Sequence, residues 1–202
     1  FGEWVDFWYQ TYVKSGLRPT TQHTYETNIY QHVIPQLGQI PLCQLTQKDL
    51  QQFYAHLKKR PLIRTDLYGK GLSDRMVRMC HAKCRAALDQ AVQENLIRTN
   101  PAVGCKLPPK RSREMQVLSR QELQRFLIQA KADGYFELFL LDLSTGLRRG
   151  ELLALQWSDL DLDTGTLSVT KQVYEVNGKM QLSVPKTKAS IRKLVLPPAV
   201  VE

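Results

Sequence analysis

Residues 145–157 read TGLRRGELLALQW, so Arg148 and Arg149 stand between a glycine turn and an apolar helical pattern. A guanidinium is planar and permanently charged, and its fork of donors can meet two oxygens of one phosphate at once. At a helix start it also works beside unpaired backbone N–H groups and the positive end of the helix dipole. The plainer reading of the same residues is a helix start with two solvated arginines. Glu151, one turn on, either braces the Arg148 guanidinium or simply favours the helix start.

A second set of basic residues lies in residues 99–118, TNPAVGCKLPPKRSREMQVL, where three prolines and the Lys106, Lys110, Arg111, Arg113 cluster replace periodicity. They are either solvated decoration or a strip that tracks phosphates, and the charge totals favour the strip. The formal net charge is +9. Residues 1–105 hold 13 Lys/Arg against 8 Asp/Glu, residues 106–118 hold 4 against 1, and residues 119–202 hold 11 against 10. Positive charge gathered in the first half and the joining segment is the footprint of a polyanionic partner, nucleic acid before an anionic membrane surface. No run approaches the roughly 18 apolar residues of a membrane span, and the first residues lack a signal peptide's basic start. A cytosolic, DNA-associated protein is expected. Cys43, Cys80, Cys84 and Cys105 show no C-x-x-C spacing; Cys80, His81 and Cys84 lack a matching second ligand pair, so no metal site is assigned and reduced thiols are expected. The chain starts at Phe1 and ends PPAVVE, which reads as a fragment of a longer protein.

These residues need elements to hold them. Apolar residues at helical spacing predict a helix over 3–14, a second capped by Thr20 or Thr21 and stopping near Pro35 and Gly38, and a third capped by Thr46. A fourth runs over 73–96, with Met76, Val77, Cys80, Cys84, Ala87, Leu88, Ala91 and Val92 inward and Met79 among its packing residues. Residues 61–71 read as a loop. Thus 1–98 is a four-helix unit and 99–118 a basic linker, while 119–202 begins a second domain. There Ser119 with Glu122 forms a capping box. A buried helix then ends at Gly146, and a helix over 148–156 turns Leu152, Leu153 and Leu155 inward. Strands follow in TLSVTKQVY and KMQLSVP around an Asn177-Gly178 hairpin signal, with IRKLVLP as a third. The fold class is mainly α, with a small three-stranded antiparallel sheet in an α+β second domain.

This order of elements resembles the tyrosine recombinases, the site-specific integrases of phages and conjugative transposons. TGLRRGELLALQWSDLDLDTGTL is similar to their first catalytic arginine box, and VPKTKASIRKLVLP to the strand-turn-strand that carries their catalytic lysine. TTQHTYETNIYQHVIPQLGQIPLCQLTQKDLQQFY is similar to their helical, SAM-like core-binding domain. The resemblance implies DNA cutting and rejoining through a 3′-phosphotyrosine for integration and excision of a mobile element, with neither metal nor nucleotide cofactor. It further implies double-stranded core-site DNA as partner, a homo-tetramer in the synaptic complex and an excisionase as accessory. It makes Arg148 the catalytic arginine and gives Arg149 no role of its own, leaving it a surface residue or a backbone-phosphate contact. It makes Lys186 the general acid to the leaving 5′ oxygen, with Lys188 as the alternative, since a shift of two keeps the strand face. Thr20, Thr21 and Tyr25 at the second helix, and Lys70, Ser73, Arg75 and Arg78 at the fourth, become DNA-facing. Lys110, Arg111 and Arg113 would hold the linker to the backbone.

The family's other active-site parts are a His-Arg box, another His or Trp and a late tyrosine. The histidines are His23, His32, His56 and His81, none followed by an H-x-x-R pair, and Tyr174 is the last tyrosine. No nucleophile is assigned, and the chain by itself is expected to bind DNA without cutting it. The competing reading is a catalytically inactive DNA-binding module, a truncated recombinase acting as a regulator.

Overall fold

The structure, a computed structural model, describes residues 1–59, 71–110, 114–176, 178–185 and 187–201. Lys70, Arg111, Arg113, Asn177 and Lys186 lie outside the described residues, as does most of the expected loop over 61–71. The chain divides into two compact units, Phe1–Arg113 and Glu114–Glu202.

In the first unit, α1 (Gly2–Trp8) runs on through wide turns at Tyr9–Val13 into a tight turn at Lys14–Gly16. α2 (Pro19–Glu26) likewise continues through Thr27–Val33 into α3 (Ile34–Leu37). The wide stretch lies just ahead of Pro35, which has no N–H and crowds the carbonyl four residues back. The cap of α2 differs from expectation: Arg18 holds the N-cap with φ −68° and ψ 152°, and Pro19 takes the first helical position. Proline's fixed φ suits that position, so Thr20 and Thr21 fall inside the first turn of the helix. α4 (Gln47–Lys59) is capped by Thr46, which exchanges hydrogen bonds with Asp49. α5 (Asp74–Gln93) is capped by Ser73, whose hydroxyl accepts from the Met76 N–H at 3.2 Å. It stops three residues before the expected Leu96, because Asn95 turns left-handed at φ 61°.

These helices close over one core of Val5, Tyr9, Ile29, Val33, Leu50, Leu57, Val77, Leu88 and their neighbours. Cys80 and Cys84 are fully buried in it and free of disulfides, and Met76 packs at its edge. Past α5 the chain turns back over the unit. Asn100 donates to Asp89 at 2.6 Å, Gln51 exchanges two hydrogen bonds with the Lys106 backbone, and Arg78 donates to the Pro108 carbonyl at 2.8 Å. The first ten residues of the stretch read as linker are therefore stitched to the helical unit by polar contacts that carry no hydrophobic period.

In the second unit, α6 (Arg120–Ala132) carries the expected Ser119–Glu122 capping box. α7 (Phe136–Thr145) ends at Gly146 in a left-handed conformation, φ 61°. The expectation of a buried α7 is corrected: none of its residues is fully buried and Leu143 is exposed. It meets α6 through one edge-to-face pair, Phe126 on Phe139, and offers Leu141 to the second core. α8 spans only Arg149–Leu152, one turn against the expected nine residues, so Leu153 points outward and is exposed.

The strands also regroup. β1 (Leu160–Asp161), β2 (Thr166–Val169) and β5 (Arg192–Val195) form an antiparallel sheet in the order β1-β2-β5, with Leu160 opposite Leu167 and Leu167 opposite Leu194. β3 (Gln172–Val176) and β4 (Lys179–Ser183) form a separate hairpin. TLSVTKQVY is thus two strands in two sheets, and the three-stranded sheet has a membership that alternation of apolar residues does not reveal. A final turn, α9 (Pro198–Val201), follows β5. Leu147, Leu167, Val169 and Leu196 are the buried centre of this unit, with Leu152, Leu155 and Leu194 against them.

Gly150 sets the seat of the hairpin on α8. A Cβ built there lies 2.5 Å from the Val173 carbonyl oxygen, a backbone atom that cannot swing aside. Gly150→Ala is expected to lower stability by about 1–3 kcal/mol, the usual cost of forcing extra volume into a packed contact. Urea unfolding checks this, and an unchanged midpoint would mean that the hairpin yields freely.

Candidate active site and nucleic-acid face

The arginine turn is built by alternation of burial. Leu147 is buried in the second core, Arg148 is the N-cap in extended conformation (φ −70°, ψ 145°), and Glu151 returns inward at 1% exposure. Glu151 takes three hydrogen bonds: from the Arg148 N–H at 3.1 Å, from Arg148 Nη1 at 2.8 Å and from Arg192 Nη2 at 2.9 Å. Both alternatives drawn from the sequence for Glu151 hold together, since one oxygen of the carboxylate caps the helix start and the other braces the guanidinium. The Arg148 side chain is otherwise 71% exposed, so most of its donors face solvent. Because α8 is a single turn, its dipole adds little, and charge on the guanidinium is the main resource of this site. Arg149 is exposed.

Burial pushes the Glu151 carboxyl up, but Arg192, then the backbone and side chain of Arg148, outweigh it and hold the group at about 2, below its ordinary 4.5. The ionised pair is thus fully stabilising above about pH 4.5 and is lost as pH falls toward 2. Glu151→Gln is expected to cost on the order of 3 kcal/mol at neutral pH and to remove that part of the acid sensitivity. Unfolding free energy of both proteins across pH 2–7 measures it; parallel curves would show that the brace contributes nothing.

Lys188 begins a one-turn 3-10 helix, Lys188–Ser190, so the strand-face argument linking it to Lys186 is corrected: this stretch is a turn. The turn is closed by the Ser190 N–H on the Thr187 carbonyl at 3.0 Å and by the two hydroxyls at 2.9 Å.

In the first unit, Ser73, Arg75, Arg78 and Lys110 line one open groove of about 1130 Å³, together with Lys58, Met79 and Lys83. Thr20, Thr21 and Tyr25 are not among its lining residues. They stand half-buried on α2, and Tyr25 stacks on Tyr9 with ring centres 5.9 Å apart. Lys83 joins the two sets, its ammonium 4.6 Å from the centre of the Tyr25 ring. Loss of solvation lowers its pKa. Lys58 is paired with Asp74 at 2.6 Å. The sequence reading missed Lys83 although it shares a helical stripe with Arg75 and Met79, a spacing that could have found it. Arg192 carried no such signal, being one arginine in an ordinary strand.

Comparison with known proteins agrees with the resemblance. Residues 1–58 match the family described as phage integrase, N-terminal SAM-like domain. The chain is 26% identical, over 99% of its length, to a XerC-like tyrosine recombinase of Caldanaerobacter subterraneus subsp. tengcongensis, covering 53% of that protein. It is 27% identical, over 82% of its length, to the ICEBs1 integrase of Bacillus subtilis, covering 43% of it. The chain thus spans about half the length of these relatives. Its fold is that of the Tn1549 transposon integrase solved in complex with a circular intermediate DNA, at TM-score 0.80 and 19% identity, with 99% of this chain and 62% of that one covered. It is also similar to the lambda integrase solved as a tetramer on a Holliday junction, at TM-score 0.67 and 20% identity, covering 90% and 49%. The chain resembles tyrosine recombinases through both of its units.

Proposed function

We propose that this chain is the DNA-clamping and arginine-bearing part of a tyrosine-type site-specific recombinase, which cuts and rejoins DNA to integrate and excise a mobile element. The observation that carries the reading is the solvent-facing Arg148 guanidinium braced on buried Glu151, in a chain whose relatives are tyrosine recombinases and integrases. Attack on a phosphodiester gathers negative charge on its non-bridging oxygens, and a fixed guanidinium is a preorganised partner for that charge. Lys186 is the proposed general acid to the leaving 5′ oxygen, with Lys188 as its alternative. No tyrosine follows Tyr174 and no His-Arg pair is present in these 202 residues, so the nucleophile comes from further sequence of a protein as long as the relatives. The chain alone then binds DNA without cutting it.

Residues 1–98, within the first unit, are the proposed core-binding domain, with 99–118 as a basic connector and 119–202 as the start of the catalytic domain. Duplex DNA lies along the groove of Ser73, Arg75, Arg78 and Lys110 and the start of α2, with Lys70, Arg111 and Arg113 adding phosphate contacts. The assembly on DNA is a tetramer, as in the lambda integrase complex, joined by an excisionase as the family resemblance implies. Among the described residues no helix is long and apolar enough to cross a membrane, and a cytoplasmic site of action fits a DNA substrate.

The test is a nicked suicide substrate given to the full-length gene product in the presence of a chelator. A covalent protein–DNA adduct through a tyrosine is the expected result. Retained binding without an adduct would leave the inactive DNA-binding module.

A further inference from the structure

We infer that Arg192 is a positioning residue of this site: it fixes the carboxylate that holds Arg148 and, from the same guanidinium, the turn that follows Lys186. The inference rests on the recombinase reading for its consequence in catalysis, but its geometry lies wholly within the second unit. Arg192 Nη2 donates to Glu151 Oε2 at 2.9 Å while Nη1 donates to the Ser190 carbonyl at 3.1 Å. Ser190 in turn closes the 187–190 turn on Thr187. One planar fork therefore links the turn that it directly follows, 187–190, to the arginine turn, whose Glu151 lies 41 residues before Arg192 in sequence.

The arrangement asks for an arginine. Lysine offers a point charge on a flexible stem and does not hold two acceptors in a fixed plane. Glu151 is 1% exposed, so it cannot turn to water if Arg192 is removed. Among the described residues its remaining counter-charge would then be Arg148, the group it is supposed to present outward. Arg148 would be drawn onto the carboxylate more tightly, at the expense of the donors that face solvent. Arg192 itself is largely covered, with 28% of its side chain exposed, and so is set to act through Glu151 rather than on a phosphate.

The test uses two readouts on Arg192→Gln, with Arg192→Lys as the variant that keeps the charge. In the 202-residue chain, carbon NMR follows the titration of the Glu151 carboxyl. In the full-length gene product, single-turnover adduct formation is followed on a nicked substrate across pH. With Arg192→Gln the Glu151 midpoint is expected to rise by about one pH unit or more, because burial is then opposed by one arginine instead of two. Adduct formation should slow by roughly 10- to 100-fold, the scale of one hydrogen bond to a charged group, with DNA affinity changed less than about threefold. Arg192→Lys should restore the midpoint more fully than the rate, which a merely structural role would not separate. A Glu151 midpoint that stays in place, or an adduct rate within twofold of wild type, overturns the inference. A wild-type protein that makes no adduct overturns the recombinase reading instead, and the Glu151 titration then decides the positioning role alone.

Discussion

Arg148→Lys is expected to slow formation of the covalent DNA adduct by about 10²–10³-fold, the loss seen when one preorganised donor to a developing oxyanion is removed. DNA affinity should stay within about threefold, because the groove proposed to supply the phosphate contacts belongs to the other unit. The reason for the size of the effect is geometric. Arg148 spends one nitrogen on Glu151 at 2.8 Å and keeps the rest of its fork for the substrate. A lysine in its place has a single ammonium, and Glu151, ionised far below neutral pH, competes for it directly. Single-turnover kinetics on a nicked substrate, with affinity measured separately, separate the two quantities. An unchanged rate would remove Arg148 from the reacting phosphate.

The second large effect lies in binding. Converting Arg75, Arg78 and Lys110 together to glutamine should lower the slope of log affinity against log salt by about 0.9 for each phosphate left without its cation. If all three side chains neutralise phosphates, affinity near 0.1 M salt falls on the order of 10²-fold, for all sequences alike. Arg78 also donates to the Pro108 carbonyl, so thermal unfolding of the triple variant is the control for an altered fold. A salt series that superimposes on the wild type would show that the groove is not where DNA lies.

The helices were legible where their signals are local. The Thr46 cap, the Ser119–Glu122 box and the three-and-four spacing of Val77, Cys80, Cys84 and Ala87 each act over a few turns of chain. What stayed hidden depends on distant partners. TLSVTKQVY breaks between β2 and β3 because β2 pairs with β5, more than twenty residues on, and nothing in the run announces it. α8 ends at Leu152 although LLALQ has good helical period, since Leu152 and Leu155 are claimed by a core that includes β2 and β5 strand residues while Leu153 stays exposed. At the proposed site, spacing and resemblance pointed to Arg148 and Glu151, which the structure joins by a hydrogen bond. Nothing pointed to Arg192, because its partner is a carboxylate 41 residues earlier.

The burial of Glu151 sets the two halves of the protein's electrostatics apart. On the recombinase reading, small ions that enter the open groove compete there with DNA phosphate, but a carboxylate sealed at 1% exposure between two guanidinium groups is hidden from them. Ionic strength therefore acts as a dial on occupancy alone. Raised salt should demand more DNA to fill the protein, yet once filled, the protein should turn over at the rate it shows in dilute buffer.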